Sequence, residues 1–239
     1  MKRPIVIFIA LVLGVIFLAA TSYAPAQEGF YQGKTLRILV GFAAGGGYDT
    51  FTRTVARHID KYIPGQPAIV VENMKGAGSL LAANYLYNKA DSDGLTAGVF
   101  SSGLVTQQAM DSKGIRFDVR EFGWVGSMSE GTPVCAIMAF TGLETLDDVL
   151  SSKKELKMGS TGPGTTTHDL TSLMVGLMDA PFKVIAGYGG TSEIRLAMQR
   201  KEIDGACWTW ESMRTTARTM LDAKGEDRLI PFVIRVRIV

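Results

Sequence analysis

The chain has 239 residues, of which 46% are hydrophobic and 20% charged, with a formal net charge of +2. That apolar content can fill one large α/β domain or two small ones, which excludes disorder, and the scatter of Lys and Arg among the acids excludes a nucleic-acid partner. The 2 cysteines, Cys135 and Cys207, are too few for a disulfide-built scaffold or a four-cysteine metal site, and the 2 histidines, His58 and His168, too few for a histidine metal cluster.

At the N-terminus Lys2 and Arg3 precede an apolar run from Ile5 to Ala20, and Ala24-Pro25-Ala26 places small residues before the polar Gln27-Glu28-Gly29. This is the pattern of a secretory signal peptide over residues 1–26, cleaved after Ala26, and it predicts export. A retained membrane anchor is the alternative, because the run is only slightly shorter than a spanning helix. Removing Lys2 and Arg3 takes the formal charge from +2 to 0, so the basicity of the precursor belongs to its targeting segment.

Leu36–Val40 then reads as a buried strand, and Phe51, Val55, Ile59 and Tyr62 recur at helical spacing. Between them lies Gly41-Phe-Ala-Ala-Gly45-Gly46-Gly47-Tyr48-Asp49. With Asp49 read as the N-cap, the glycines would let the free N–H groups of the helix approach an anion. A tight strand-to-helix joint is the other reading of this turn by itself.

Ala68–Glu72 is the next strand, followed by Gly76-Ala77-Gly78 and a helix through Leu80, Leu81, Ala83, Asn84 and Leu86; Asp93-Gly94 turns into the strand Leu95–Phe100. Three strands alternating with two helices predict a βαβαβ unit with a mostly parallel sheet. Its ligand loops lie beyond the carboxyl ends of the strands: residues 42–49, residues 73–79 and Ser101-Ser102-Gly103.

Phe122–Gly126 and Val134–Ala139 are further strand candidates, and Thr145 with Asp148 forms a capping box. Leu156–Met158 leads into Gly159-Ser-Thr-Gly-Pro-Gly-Thr-Thr-Thr-His168 and a helix over Thr166–Met178. Phe182–Ala186, Tyr188-Gly189-Gly190, a helix through Ile194, Leu196 and Met198, and the strand Gly205–Trp208 complete a second, smaller α/β unit. Two such units meeting edge to edge leave a cleft lined by strand-end loops. Cys135 and Cys207 each lie in a strand-like run. They could pair in an oxidising compartment, but two buried thiols are the favoured reading.

The loop at Gly159–Thr166 has the glycines and hydroxyl of a phosphate-binding P-loop but carries Thr165 where the lysine is required. Without that ammonium, nucleotide hydrolysis is disfavoured, and what is left is a set of N–H groups and hydroxyls suited to a carboxylate. A secreted hydrolase could be built from Ser160, His168 and Asp169, although no G-x-S-x-G elbow occurs. His58 sits on a polar helix face and reads as solvated. His168 closes the hydroxyl-rich loop and is the better functional candidate, with a local capping role as its alternative.

The order of these motifs resembles the periplasmic substrate-binding receptors of tripartite tricarboxylate transporters, the Bug family. The resemblance covers most of the exported chain. It is carried by Tyr31–Asp49, by Val71-Glu72-Asn73 with Gly76-Ala77-Gly78, by Asp93-Gly94-Leu95-Thr96, by the loop Gly159–His168, by Tyr188-Gly189-Gly190 and by Ile203-Asp204. It implies a type II periplasmic-binding-protein fold: an α/β domain over residues 27–123, a second over 124–228, and the start of a return hinge strand at 229–239.

It implies no catalysis, no cofactor, no metal and no nucleic acid. The expected partners are a small carboxylate and the membrane permease subunits, with the receptor a monomer. Carried over, Ala44, Gly45, Gly46, Tyr48 and Asp49 would hold one carboxylate, and Thr161, Thr165, Thr166, Thr167 and His168 the other end of the ligand. Ser101, Ser102, Tyr188 and Trp208 would form the walls.

Three departures from the family pattern stand out. Tyr48 occupies a position where a small residue is usual, and Cys207-Trp208-Thr209-Trp210-Glu211 makes one wall larger and more apolar. A monocarboxylate or an aromatic acid is therefore a candidate ligand beside di- and tricarboxylates. Glu211 either repels further carboxylates or simply starts a helix. Finally, the terminal run Leu229–Val239 resembles a hinge strand cut short, so the C-terminal part of domain 1 is expected to be missing. A module that reports ligand occupancy to a membrane kinase is the remaining alternative to transport.

Overall fold

A computed structural model describes residues 29–233. The signal segment expected at 1–26 and the last residues of the terminal run lie outside that range. Two sheets organise the chain. The first has the order β2-β1-β3, from β1 (Thr35–Val40), β2 (Ala68–Asn73) and β3 (Thr96–Val99), and both pairings are parallel. Helices α1 (Gly47–Ala56) and α2 (Leu80–Asn88) make the crossovers, as the alternating pattern requires. Burial deepens along β1 until Leu39 and Val40 are inaccessible, so the strand's carboxyl end is the packed end. A third helix, α3 (Gly103–Ala109), follows β3 and brings Leu104 into a small core with Ala83 and Phe117.

The second sheet has the order β6-β5-β7-β4-β8, from β4 (Pro133–Met138), β5 (Leu156–Ser160), β6 (Phe182–Ala186), β7 (Gly205–Thr209) and β8 (Leu229–Val233). β5 runs parallel to β6 and β7, while β4 is antiparallel to β7 and β8. Side chains alternate along β4. Val134, Ala136 and Met138 pack towards α6 (Thr191–Gln199), α7 (Trp210–Thr216) and α8 (Arg218–Leu221), whereas Cys135 and Ile137 pack towards α4 (Leu146–Ser151) and α5 (Thr166–Met178). A sheet covered on both faces needs apolar residues on both, which is why these strands read as continuous apolar runs rather than alternating ones. The start of the terminal run, β8, is hydrogen-bonded along β4 at the edge of this second sheet.

Three expectations are corrected here. Cys135 and Cys207 are joined in a disulfide, because the register of the antiparallel pair β4 and β7 sets them directly opposite each other. Phe122–Gly126 forms no strand. Phe122 and Trp124 instead stack edge-on with each other and pack against Phe100, so side-chain packing takes the place of a ladder. Asp49 is not the N-cap of α1. That position is Gly46, which has no side chain to cap with, and Asp49 sits three residues further on. The capping box of Thr145 and Asp148 is present at the start of α4.

Candidate functional site

The loop after β1 is built around the Asp49 carboxylate. Its Oδ2 accepts the Gly45 N–H at 2.9 Å, and its Oδ1 accepts from Asn73 Nδ2 at 2.9 Å and Arg53 Nε at 2.9 Å. Burial opposes the charge on this carboxyl, but the Gly45 N–H, Asn73 and Arg53 outweigh it and hold the group below its ordinary value. A charged, fully partnered Asp49 pins the loop and leaves the first turn of α1 pointing outward. Gly47 N–H donates to Thr191 Oγ1 at 3.3 Å, while among the described residues no group accepts from the Tyr48 or Asp49 N–H. Phe42 and Tyr48 stack face to face beside this turn, with ring centroids 4.3 Å apart.

The loop after β5 is built from hydroxyls. Thr161, Thr165 and Thr167, all buried, form a triangle: Thr161 Oγ1 donates to Thr165 Oγ1 at 3.0 Å, and Thr167 Oγ1 lies 2.9 Å from each. Thr165 Oγ1 donates to the Gly162 carbonyl at 2.6 Å, and Thr167 Oγ1 accepts the Thr161 N–H at 3.0 Å. Each hydroxyl has a single proton, so the triangle spends the Thr165 and Thr161 protons internally. The N–H groups of Thr165, Thr166 and Thr167, at the start of α5, have no acceptor among the described residues.

The two loops meet across a cleft with a cavity of about 400 Å³. Gly46, Tyr48, Ser102, Thr161, Thr165, Thr166, Thr167 and Trp208 all line it, and no charged side chain does so among the described residues. The other expected residues stand behind this lining. Ser101 Oγ donates to the Gly164 carbonyl at 2.6 Å, tying the first unit to the second. The Ala44 carbonyl accepts from Ser192 Oγ at 2.8 Å and the Gly45 carbonyl from Arg195 at 3.1 Å, two more ties between the units, while Asp49 braces its own loop. His168 turns Nδ1 to Asp169 Oδ1 at 3.2 Å, and Tyr188 packs against the core of the second sheet.

Sequence reasoning missed Phe51, Phe100, Thr191, Ser212 and, from one turn segment, Ser127, Met128, Ser129 and Gly131, all of which reach the cleft. Phe51 carried the signal of a core-facing helix position, and the Ser127 segment that of a turn. Only the docking of the two units turns them into walls.

The Ser160–His168 pair is not assembled. Ser160 is inaccessible, its Oγ accepts the Gly162 N–H at 3.1 Å, and His168 faces Asp169. Glu211 also stays out of the lining: it accepts the Thr132 N–H at 2.9 Å at the start of α7. Asp204 is a brace rather than a ligand group, receiving the Lys157 N–H at 2.8 Å and Lys154 Nζ at 3.1 Å.

No protein-family model matches the chain. A UPF0065 protein of Agrobacterium vitis is 38% identical over 108 residues, covering 45% of this chain and 30% of that protein. A second, from Cupriavidus necator, is 27% identical over 150 residues, covering 61% of this chain and 44% of the relative. The chain therefore matches less than half the length of either. Among solved structures, the periplasmic binding protein BugD superposes with a TM-score of 0.67 at 18% identity, over 84% of this chain and 65% of BugD. MatC of Rhodopseudomonas palustris, solved with bound malate, gives 0.71 at 22% identity, over 84% of this chain and 66% of MatC. The chain is thus similar in sequence to two UPF0065 proteins over part of its length and shares the type II periplasmic-binding-protein fold with BugD and MatC.

Proposed function

We propose that the protein is an extracytoplasmic solute receptor, not an enzyme, that closes its two α/β units over a small carboxylate and presents it to the membrane permease of a tripartite tricarboxylate transporter. The observation that carries this reading is the pairing of two helix starts, Gly46–Tyr48 and Thr166–Thr167, on one cleft whose lining holds hydroxyls and no charged side chain. Such a start carries a partial positive charge and free N–H groups, which suit an anion and need no metal. Among the described residues, no group of three or more potential metal ligands occurs. Because the ligand would touch both units only when they are together, its binding energy would favour the closed arrangement. The N-terminal signal pattern and the malate bound by MatC support the same reading.

Isothermal titration of the mature chain against a carboxylate panel (malate, citrate, adipate, benzoate), with glucose as the control, tests it. Saturable binding of at least one carboxylate and none of glucose is expected. Binding of glucose with no carboxylate bound would overturn the reading.

A further inference from the structure

Arg195, on α6 of the second unit, is partly buried and carries a charge that no acid beside it balances. Its Nη1 donates to Thr216 Oγ1 on α7 at 2.8 Å, and its Nη2 donates to the Gly45 carbonyl of the first unit at 3.1 Å. Among the described residues no carboxylate lies within ion-pairing distance of it. Arg53, which braces the same glycine loop, is by contrast paired with Asp49 at 2.9 Å. Glu193, the acid nearest to Arg195 along α6, is committed to Lys75 Nζ at 2.6 Å and to the Gly189 N–H at 2.7 Å. Burial therefore pulls the Arg195 guanidinium below its ordinary range with nothing to oppose it.

The contacts around Arg195 define what it holds. Ser192 Oγ donates to the Ala44 carbonyl at 2.8 Å, and Thr191 Oγ1 accepts the Gly47 N–H at 3.3 Å, so the beginning of α6 grips the loop at successive peptide groups. The C=O and N–H of a trans peptide point in opposite directions. Anchoring the Gly45 carbonyl on Arg195 thus fixes the Gly46 N–H facing away from that side chain. Gly46 and Thr191 line the cavity, and Arg195 stands one helical turn beyond Thr191. A turn rises about 5.4 Å, which is less than the screening length of about 8 Å at physiological ionic strength. The charge stands behind the lining, where an anion in the cleft is attracted to it without touching it.

We propose that Arg195 is a positioning residue for the bound anion: it holds the Gly45–Gly46 peptide of one unit against the other, and its unpaired charge is balanced by the ligand's carboxylate. This inference rests on the receptor reading above. Because the guanidinium bridges the two units, the counter-charge is in place only when they are together, which couples recognition of the anion to closure.

The test is calorimetric titration of the mature chain, Arg195→Met and Arg195→Lys with malate, citrate, adipate and benzoate, each beside its primary amide, with melting temperature as the check on folding. For the acid that the parent binds most tightly, Arg195→Met is expected to lose about tenfold or more in affinity, while the corresponding amide loses far less. Arg195→Lys, which keeps the charge, recovers most of the loss. If Arg195→Met does not fold, Arg195→Gln takes its place as the uncharged variant. A merely mechanical tie between the units would weaken acid and amide alike. That result would overturn this inference and leave the receptor reading standing, as would an unchanged affinity for the acid in the uncharged variant. Binding of no carboxylate by the parent would overturn both.

Discussion

Gly47 at the first position of α1 and Ser212 on α7 touch across the cleft so closely that a β-carbon on Gly47 would overlap the Ser212 side chain. The glycine is there for close approach of the two units, since its own backbone is helical. Gly47→Ala is therefore expected to hold the units apart, lowering ligand affinity at least tenfold while shifting the melting temperature by less than about 3 °C. Adding Ser212→Gly to that variant removes the clash and should restore the compact radius of gyration measured by small-angle scattering with ligand present. A wild-type affinity for Gly47→Ala would mean that closure does not pass through this contact.

Asp49 links stability to pH. Its carboxyl is depressed in the folded chain despite burial, through the Gly45 N–H, Asn73 and Arg53. A carboxyl whose folded value lies below its unfolded value, about 3.9, stabilises the fold fully above that pH and loses the contribution as pH falls through the folded value. Asp49→Asn should thus be less stable than the parent at neutral pH, with the gap closing below about pH 4. Asp49→Ala, which leaves the Gly45 N–H and the Arg53 guanidinium without their acceptor, should cost about 1.5–3 kcal/mol in urea unfolding. A stability gap between the Asp49→Asn variant and the parent that stays constant with pH would remove Asp49 from this role.

The hydroxyl triangle makes a sharper structural claim than a single hydrogen bond. Thr167→Val keeps the shape but removes the acceptor of the Thr161 N–H and one corner shared with Thr165, at a cost of about 1–3 kcal/mol. Thr167→Ser keeps the hydroxyl and should recover most of the stability and of the ligand affinity. If the serine variant is as impaired as the valine one, packing of the methyl group matters here and the hydroxyl does not.

The disulfide between Cys135 and Cys207 spans 72 residues of sequence and ties the central strand of the second sheet to its neighbour. Closing a loop of that size typically stabilises by about 2–5 kcal/mol. Unfolding in the presence of a reductant is expected to show that loss, and an unchanged transition would place the stability of the sheet in its apolar layers alone.

The sequence was most informative where local chemistry and tertiary role coincide. The helix over Thr166–Met178 and the strand over Phe182–Ala186 have the bounds that their apolar spacing indicates, because both stand against one continuous core. The glycine loop after β1 was legible as a strand-to-helix turn, but the part played by Asp49 was not. A carboxylate at the third helical position reaching back to Gly45 leaves the same sequence trace as an N-cap, and its partner Asn73 lies on another strand. Cys135 and Cys207 were ambiguous for a similar reason: pairing depends on a register between β4 and β7 that composition does not encode. Ser101 reads as a wall residue, yet its hydroxyl goes to the Gly164 carbonyl across the cleft. Contacts between the two units are set by docking, so residues such as Ser101 and Ser212 carry no periodic signal of their own.

On the proposed reading an anion is held by neutral donors at two helix starts rather than by cationic side chains. Calorimetric comparison of the tightest-binding carboxylate with its primary amide tests it most directly, because the two share shape and differ in charge and in accepting capacity. The carboxylate is expected to bind at least about a hundredfold more tightly, as hydrogen bonds to a charged acceptor are the stronger kind. Equal affinity for the acid and the amide would contradict it.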